Sequence, residues 1–180
     1  MTNTFIENIN NSISNLKSKD DLSFVFKAFE EYCADLISTR TGLSMKGVDG
    51  APDWYGYERI IWESVFKYLE PILKIKKFRG KNELLDGMLS LCLKKEYGKG
   101  RQSLVMLIGK YGAIDYASSL ARLIDDPEVS IHVIGALTQM KDLSHYEKIK
   151  KISEEKKLTS KRTYARKYIK KLAPLKLNEE

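Results

Sequence analysis

The sequence predicts an all-α protein made of repeating helical hairpins, less regular in its N-terminal half, and three observations carry that prediction. Apolar residues recur at helical spacing along most of the chain, and no stretch alternates with the period of a strand. Between Asp125 and Met140 a helix start and a buried face are written together: Asp126 as cap, Pro127 at the first position, Glu128 near the positive end of the helix dipole, then Val129, Val133, Ala136, Leu137 and Met140 on one stripe. The third observation is a repeat. Leu104, Ile108 and Tyr111 overlay Val133, Leu137 and Met140 at a shift of 29 residues, and these overlay Ala165, Ile169 and Leu172 at a shift of 32. Units of that length stack because none covers its apolar face alone.

The chain has 180 residues, 43% hydrophobic and 31% charged, which is enough for one sizeable core and a globular rather than a disordered balance. The expectation is a single domain over residues 1–180: an irregular helical half over 1–100 that includes a loop at 39–57, regular repeats over 101–172, and a tail over 173–180. No apolar run is long enough to span a membrane, and the first twenty residues lack the basic start and apolar middle of a signal peptide, so a cytoplasmic protein without a membrane partner is expected. Cys33 and Cys92 each sit inside an apolar helical pattern and have no zinc-type spacing, which reads as two buried thiols and no metal.

In chain order, Asn3 to Leu16 keeps a helical spacing through Phe5, Ile6, Ile9, Ile13 and Leu16, although its asparagines lower the propensity. Ser18-Lys19-Asp20-Asp21 has the order of a capping box, followed by a core helix with Leu22, Val25, Phe26, Phe29, Tyr32, Cys33, Leu36 and Ile37 on one face. Thr39 to Tyr57 breaks the pattern with Gly42, Gly47, Gly50, Pro52 and Gly56, and long loops of this kind are commonly functional. A helix resumes from Arg59 to Leu69, and Glu70-Pro71 ends or kinks it. Arg79-Gly80-Lys81 is a turn, and Asn82 caps a helix carrying Leu85, Met88, Leu89 and Cys92 that stops at Tyr97-Gly98-Lys99-Gly100. Helices then run from Arg101 to Tyr111, from Ala113 to Ile124 with Ile114, Ala117, Leu120, Ala121 and Ile124 inward, and from the Asp126 cap. Another runs from Leu143 to Ile152, with Ser144-His145-Tyr146-Glu147 as a second capping box, and a last one from Ser160 to Leu172 is closed by Pro174.

With those residues in place, Asp125-Asp126-Pro127-Glu128-Val129 with Ala136-Leu137 resembles the first helix of a HEAT repeat, and Lys161 to Leu172 resembles the next. The resemblance to this armadillo-like family covers residues 101 to 172, and residues 1 to 100 only by helical pattern. It implies a right-handed α-α superhelix and a binding scaffold with no chemistry or cofactor of its own.

Nothing in the sequence forms a convincing catalytic set. Asp20-Asp21 and Asp125-Asp126 sit where capping explains them, His132 lies off the inner stripe, and Tyr97-Gly98-Lys99-Gly100-Arg101 follows no strand and so is not a phosphate loop. Two surfaces invite a partner. The first is the loop end, where Asp53, Trp54, Tyr55 and Tyr57 either fold back onto the core or stand out as anchors for a protein partner. The second is the C-terminus. Residues 1 to 140 are balanced at 18 basic and 18 acidic, whereas residues 141 to 180 hold 13 against 6, which accounts for the entire net charge of +7. Arg162, Arg166, Lys167, Lys170 and Lys171, interleaved with Tyr164 and Tyr168, form rows that suit phosphates or an acidic partner, or that simply keep a terminal repeat soluble. The expected function is a non-enzymatic scaffold for a protein partner, of adaptor or toxin-neutralising type, with nucleic-acid binding as the alternative. A remoter reading follows from alkylpurine DNA glycosylases, which are similar in being built from HEAT-like units; Asp53, Trp54 and Trp62 supply the residue types those enzymes use.

Overall fold

A computed structural model describes residues 22–39 and 54–177, together with isolated positions between Glu7 and Leu16. The Ser18 capping box and most of the 39–57 loop, Asp53 included, lie outside the described residues, as does the expected N-terminal helix apart from Glu7, Asn10, Asn11, Ile13 and Ser14, which are helical, and Leu16. Those described are helical, with no strand among them. The chain divides into two compact units, Met1–Leu104 and Val105–Glu180. The division falls inside the helix Arg101–Tyr111, close to where the sequence turns from irregular to regular.

The first unit opens with α1 (Leu22–Thr39), whose Leu22, Val25, Phe29, Tyr32 and Cys33 are buried as their spacing predicts, while Phe24 on the opposite side is 72% exposed. α2 (Gly56–Ser64) begins three residues earlier than the sequence suggests, because Glu58 anchors the turn that precedes it. Glu70-Pro71 does not end this helix. A π-helical turn over Val65–Leu69 leads straight into α3 (Glu70–Lys74), the Glu70 amide donating to the Val65 carbonyl. A wider turn is what the proline imposes, since its ring would clash with the carbonyl one α-turn back and it has no amide to offer.

After a 3-10 turn at Lys76–Phe78, Gly80 adopts a positive φ of 81°, and Arg79 folds back to donate to the carbonyls of Leu73 and Lys74 at 3.1 and 2.8 Å. Asn82 caps α4 (Glu83–Cys92) as expected, accepting from the Leu85 amide at 3.0 Å. α4 buries Leu84, Leu85, Met88, Leu91 and Cys92, so its inner face is rotated away from Leu89. It packs along α1, where Gly87 lets the Phe26 ring lie on the backbone: a Cβ there would come within 2.4 Å of the ring.

Tyr97-Gly98-Lys99-Gly100 is not a helix stop. It belongs to a 3-10 segment, Lys95–Gly100, that packs on α2 and runs directly into α5 (Arg101–Tyr111).

In the second unit Val105, Leu107, Ile108 and Tyr111 of α5 are buried, and the helix ends at Gly112 as predicted. The expected helix from Ala113 to Ile124 is shorter. A 3-10 turn, Ile114–Tyr116, precedes α6 (Ala117–Ala121), and Tyr116 takes the inward place expected of Ile114, which is 52% exposed. The next helix, α7 (Ser130–Met140), starts after Asp126 rather than on it. The Asp126 carboxylate accepts from the Glu128 amide at 3.0 Å, and that local turn holds Asp126 to Val129 outside the helix. Val129, Val133, Ala136 and Leu137 of the stripe are buried as predicted, Met140 is only half-buried, and Ile134 joins them.

α8 (Tyr146–Glu154) likewise begins later than expected: Ser144 is not its cap, and its own amide is taken by Asp142 at 3.3 Å. α9 (Ser160–Lys176) is capped by Thr159, whose hydroxyl accepts from the Arg162 amide at 3.1 Å. Pro174 lies inside α9 and does not close it, the helix running on to Lys176. α9 packs against α7 and α8, and α6 against α7. α5 approaches α7 closely enough that a Cβ on Gly109 would sit 2.5 Å from that of Ala136.

Candidate functional site

The aromatic group at the loop end is held by α2. Trp54 meets Trp62 edge to face at 6.1 Å between centroids, and Trp62 meets Phe66 in the same way at 4.8 Å, so the indole that the sequence offers as an anchor lies on a chain of rings. Tyr55 and Tyr57 stack on each other at 5.9 Å, and the Tyr57 hydroxyl donates to the Glu96 carbonyl at 3.3 Å. Trp54 and Tyr57 are half-buried and Tyr55 is exposed.

Beneath this group is a polar centre that sequence reading missed. The Glu58 side chain, 3% exposed, accepts from the Tyr55 amide at 2.7 Å and from the Lys99 amide at 2.9 Å. Gly98 is required beside it, with φ at 51° and ψ at −138°, and a Cβ there would stand 1.8 Å from Glu58 Oε1. Arg101, fully buried, donates from Nε to the Gly98 carbonyl at 2.8 Å and from Nη1 to the Cys92 carbonyl at 3.2 Å. The one signal available for Glu58 is its position three residues after the residue before the helix, where a carboxylate reaches back to a free amide. These partners are backbone groups, so the centre holds the chain in shape.

The basic residues of α9 divide into two sets. Arg162 and Arg166 both turn their Nε toward the Ser153 carbonyl, at 3.4 and 3.2 Å, and so satisfy the open end of α8. Lys161 reaches Asp125 at 2.9 Å, as does Lys148, and these two cations hold the Asp125 carboxyl below its usual range, Lys161 contributing most. Lys167 lies 5.2 Å from the Tyr164 ring centroid. Lys167, Lys170 and Lys171 are exposed and form no ion pair with a described residue. Tyr168 faces the other way, buried, its hydroxyl donating to the Asp142 carbonyl.

Burial pushes the thiols of Cys33 and Cys92 well up, away from the thiolate form that reacts. His145 Nδ1 pairs with the buried Asp142 carboxylate at 2.7 Å. His132 is half-buried on α7, its Nδ1 has no hydrogen-bond partner among the described residues, and burial lowers its pKa. Among the described residues no cluster of three or more His, Cys, Asp or Glu is arranged to hold a metal ion, and no helix is long and apolar enough to cross a membrane. No protein-family model, curated protein or solved structure matches the chain.

Proposed function

We propose that the chain is a binding module, a HEAT-like stack of helical hairpins wound in that family's right-handed sense, which recognises a protein partner and performs no chemistry of its own. One observation carries the reading: the alternation of contacts in the second unit. α7 touches α5 before it and α9 after it, while α6 rests on α7 and α8 on α9. Alternate helices thus meet in series and the helix between them backs the next. A stack of hairpins buries its apolar stripes this way, and its outer faces are left for recognition.

Nucleic-acid binding is the weaker reading, because the side chains best suited to it are engaged within the chain. Arg162 and Arg166 direct their Nε to a carbonyl, and Tyr168 is buried. Two buried thiols fit a reducing compartment, and we assign the module to the cytoplasm.

The test is affinity capture by the intact chain from the cells that make it, followed by reconstitution with the purified captured protein. A saturable complex of fixed stoichiometry is the expected result. Capture of nucleic acid alone, or release of an alkylated base from duplex DNA by the purified chain, would overturn the proposal.

A further inference from the structure

We infer that the outward face of α9 is the docking surface for an acidic helical segment of that protein partner. The inference rests on the protein-binding reading above. α9 carries no acidic residue from Ser160 to Lys176, and its Ala165, Tyr168 and Leu172 face is buried. The cations near its start are engaged internally: Lys161 by Asp125, Arg162 and Arg166 by the Ser153 carbonyl. Lys176 at the helix end is half-buried, which leaves Lys167, Lys170 and Lys171 exposed at spacings of three and four residues. Like charges so placed repel and weaken the helix that bears them. A requirement for solubility does not call for this arrangement, since interspersed acids would serve as well.

The spacing also points to the partner's form. Residues four apart on a helix rise about 6 Å, so a second helix with glutamates at the same interval can meet successive lysines along the row. Lysines offer point charges rather than the fork that clasps phosphate, and Lys167 is steadied over the Tyr164 ring. Exposed pairs of this kind are individually weak, so binding should be modest in strength, fall with salt, and need the row as a whole.

The experiment measures fluorescence anisotropy of a labelled synthetic helical peptide with glutamates at every i, i+4 position, titrated with the intact chain at low and physiological salt. The comparison is between K167E/K170E/K171E on α9 and K76E/K81E/K95E, an equal charge change at exposed lysines of the first unit. The expected result is about a tenfold or greater loss of affinity for the α9 variant and little change for the other. K167Q/K170Q/K171Q, which adds no acid to the helix, should show the same direction with a smaller loss, and circular dichroism confirms that each variant is folded.

Equal losses in both reversal variants, no peptide binding at low salt, or tighter binding of duplex DNA than of the peptide would each overturn the inference. Capture of the natural partner separates the two proposals. A partner held by the wild type and lost by the α9 variant supports both. A partner held equally by both chains leaves the binding module standing and removes α9 from it. No protein captured by either chain overturns both.

Discussion

The two units meet the same problem, how to end helices and turn the chain, by different means. The first unit does it from inside. Glu58 and Arg101 are buried polar side chains whose partners include backbone amides or carbonyls at irregular places: a 3-10 segment, a left-handed glycine, the end of α4. The second unit does much of it near the surface: Asp126 closes the turn before α7, and Thr159, Arg162 and Arg166 reach helix ends, all from half-exposed or exposed positions, the buried Asp142 being the exception, and its interior is left mainly to apolar stripes. A buried polar anchor is costly to lose because its partners are left without water, whereas a surface cap is replaced by solvent. The first unit should therefore depend on a few residues and the second on many.

The largest effect is expected at Arg101. Replacing it with methionine keeps much of the volume but strips donors from the buried Gly98 and Cys92 carbonyls, at a cost of about 3–5 kcal/mol in urea unfolding. If Arg101→Met costs no more than loss of the Thr159 cap by Thr159→Ala, about 1 kcal/mol, the contrast between the units fails.

Gly98→Ala should come next, at about 3 kcal/mol, because it adds a side chain both at a positive φ and against Glu58 Oε1. Part of that cost should vanish in a Glu58→Ala background, where the clash is gone, and a double-mutant cycle with no coupling would refute the arrangement.

In the second unit Gly109→Ala should cost about 1–3 kcal/mol by overpacking α5 against α7, with recovery when Ala136→Gly is added. Recovery is the sharper result, since it would show that this unit depends on how closely its helices approach.

The smallest effect concerns pH. Burial lowers the His132 pKa in the folded state, so the unfolded chain binds its proton more readily. The stability this group contributes is fully present above about 6.5 and is lost as pH falls from there through the lower folded value. Replacing His132 with glutamine should flatten that part of the stability profile; an unchanged slope would mean that the histidine is not the source.

Much of this architecture was legible in the sequence, and the legible part has a common character. The stripes of α1, α5, α7 and α9 were readable because burial on one face of a helix leaves a period in the chain itself. Asn82 was readable as a cap because its partner lies three residues away. The later starts of α7 and α8 were not, because Asp126 closes a local turn instead of capping a helix, and Asp142 takes the amide of Ser144, the expected cap of α8.

Of the candidate surfaces, the row of cations on α9 could be written down from spacing alone. Which of its members remain free could not, since the Ser153 carbonyl and Asp125 that engage Arg162, Arg166 and Lys161 are distant in sequence. The same holds at the loop end, where the sequence supplied Trp54 and Tyr57 but not Trp62 and Glu96 as their partners.

The sequence by itself determined that this protein is helical, where most of its helices lie and which faces they bury, because hydrophobic period and capping are local properties. Only the tertiary structure decided which polar side chains are anchors and which stay exposed. That is decided by contacts between residues far apart in the chain: Glu58 with the Lys99 amide, Arg166 with the Ser153 carbonyl, Tyr168 with the Asp142 carbonyl. A buried polar group must find a partner wherever the fold brings one, and no spacing along the chain records where that will be.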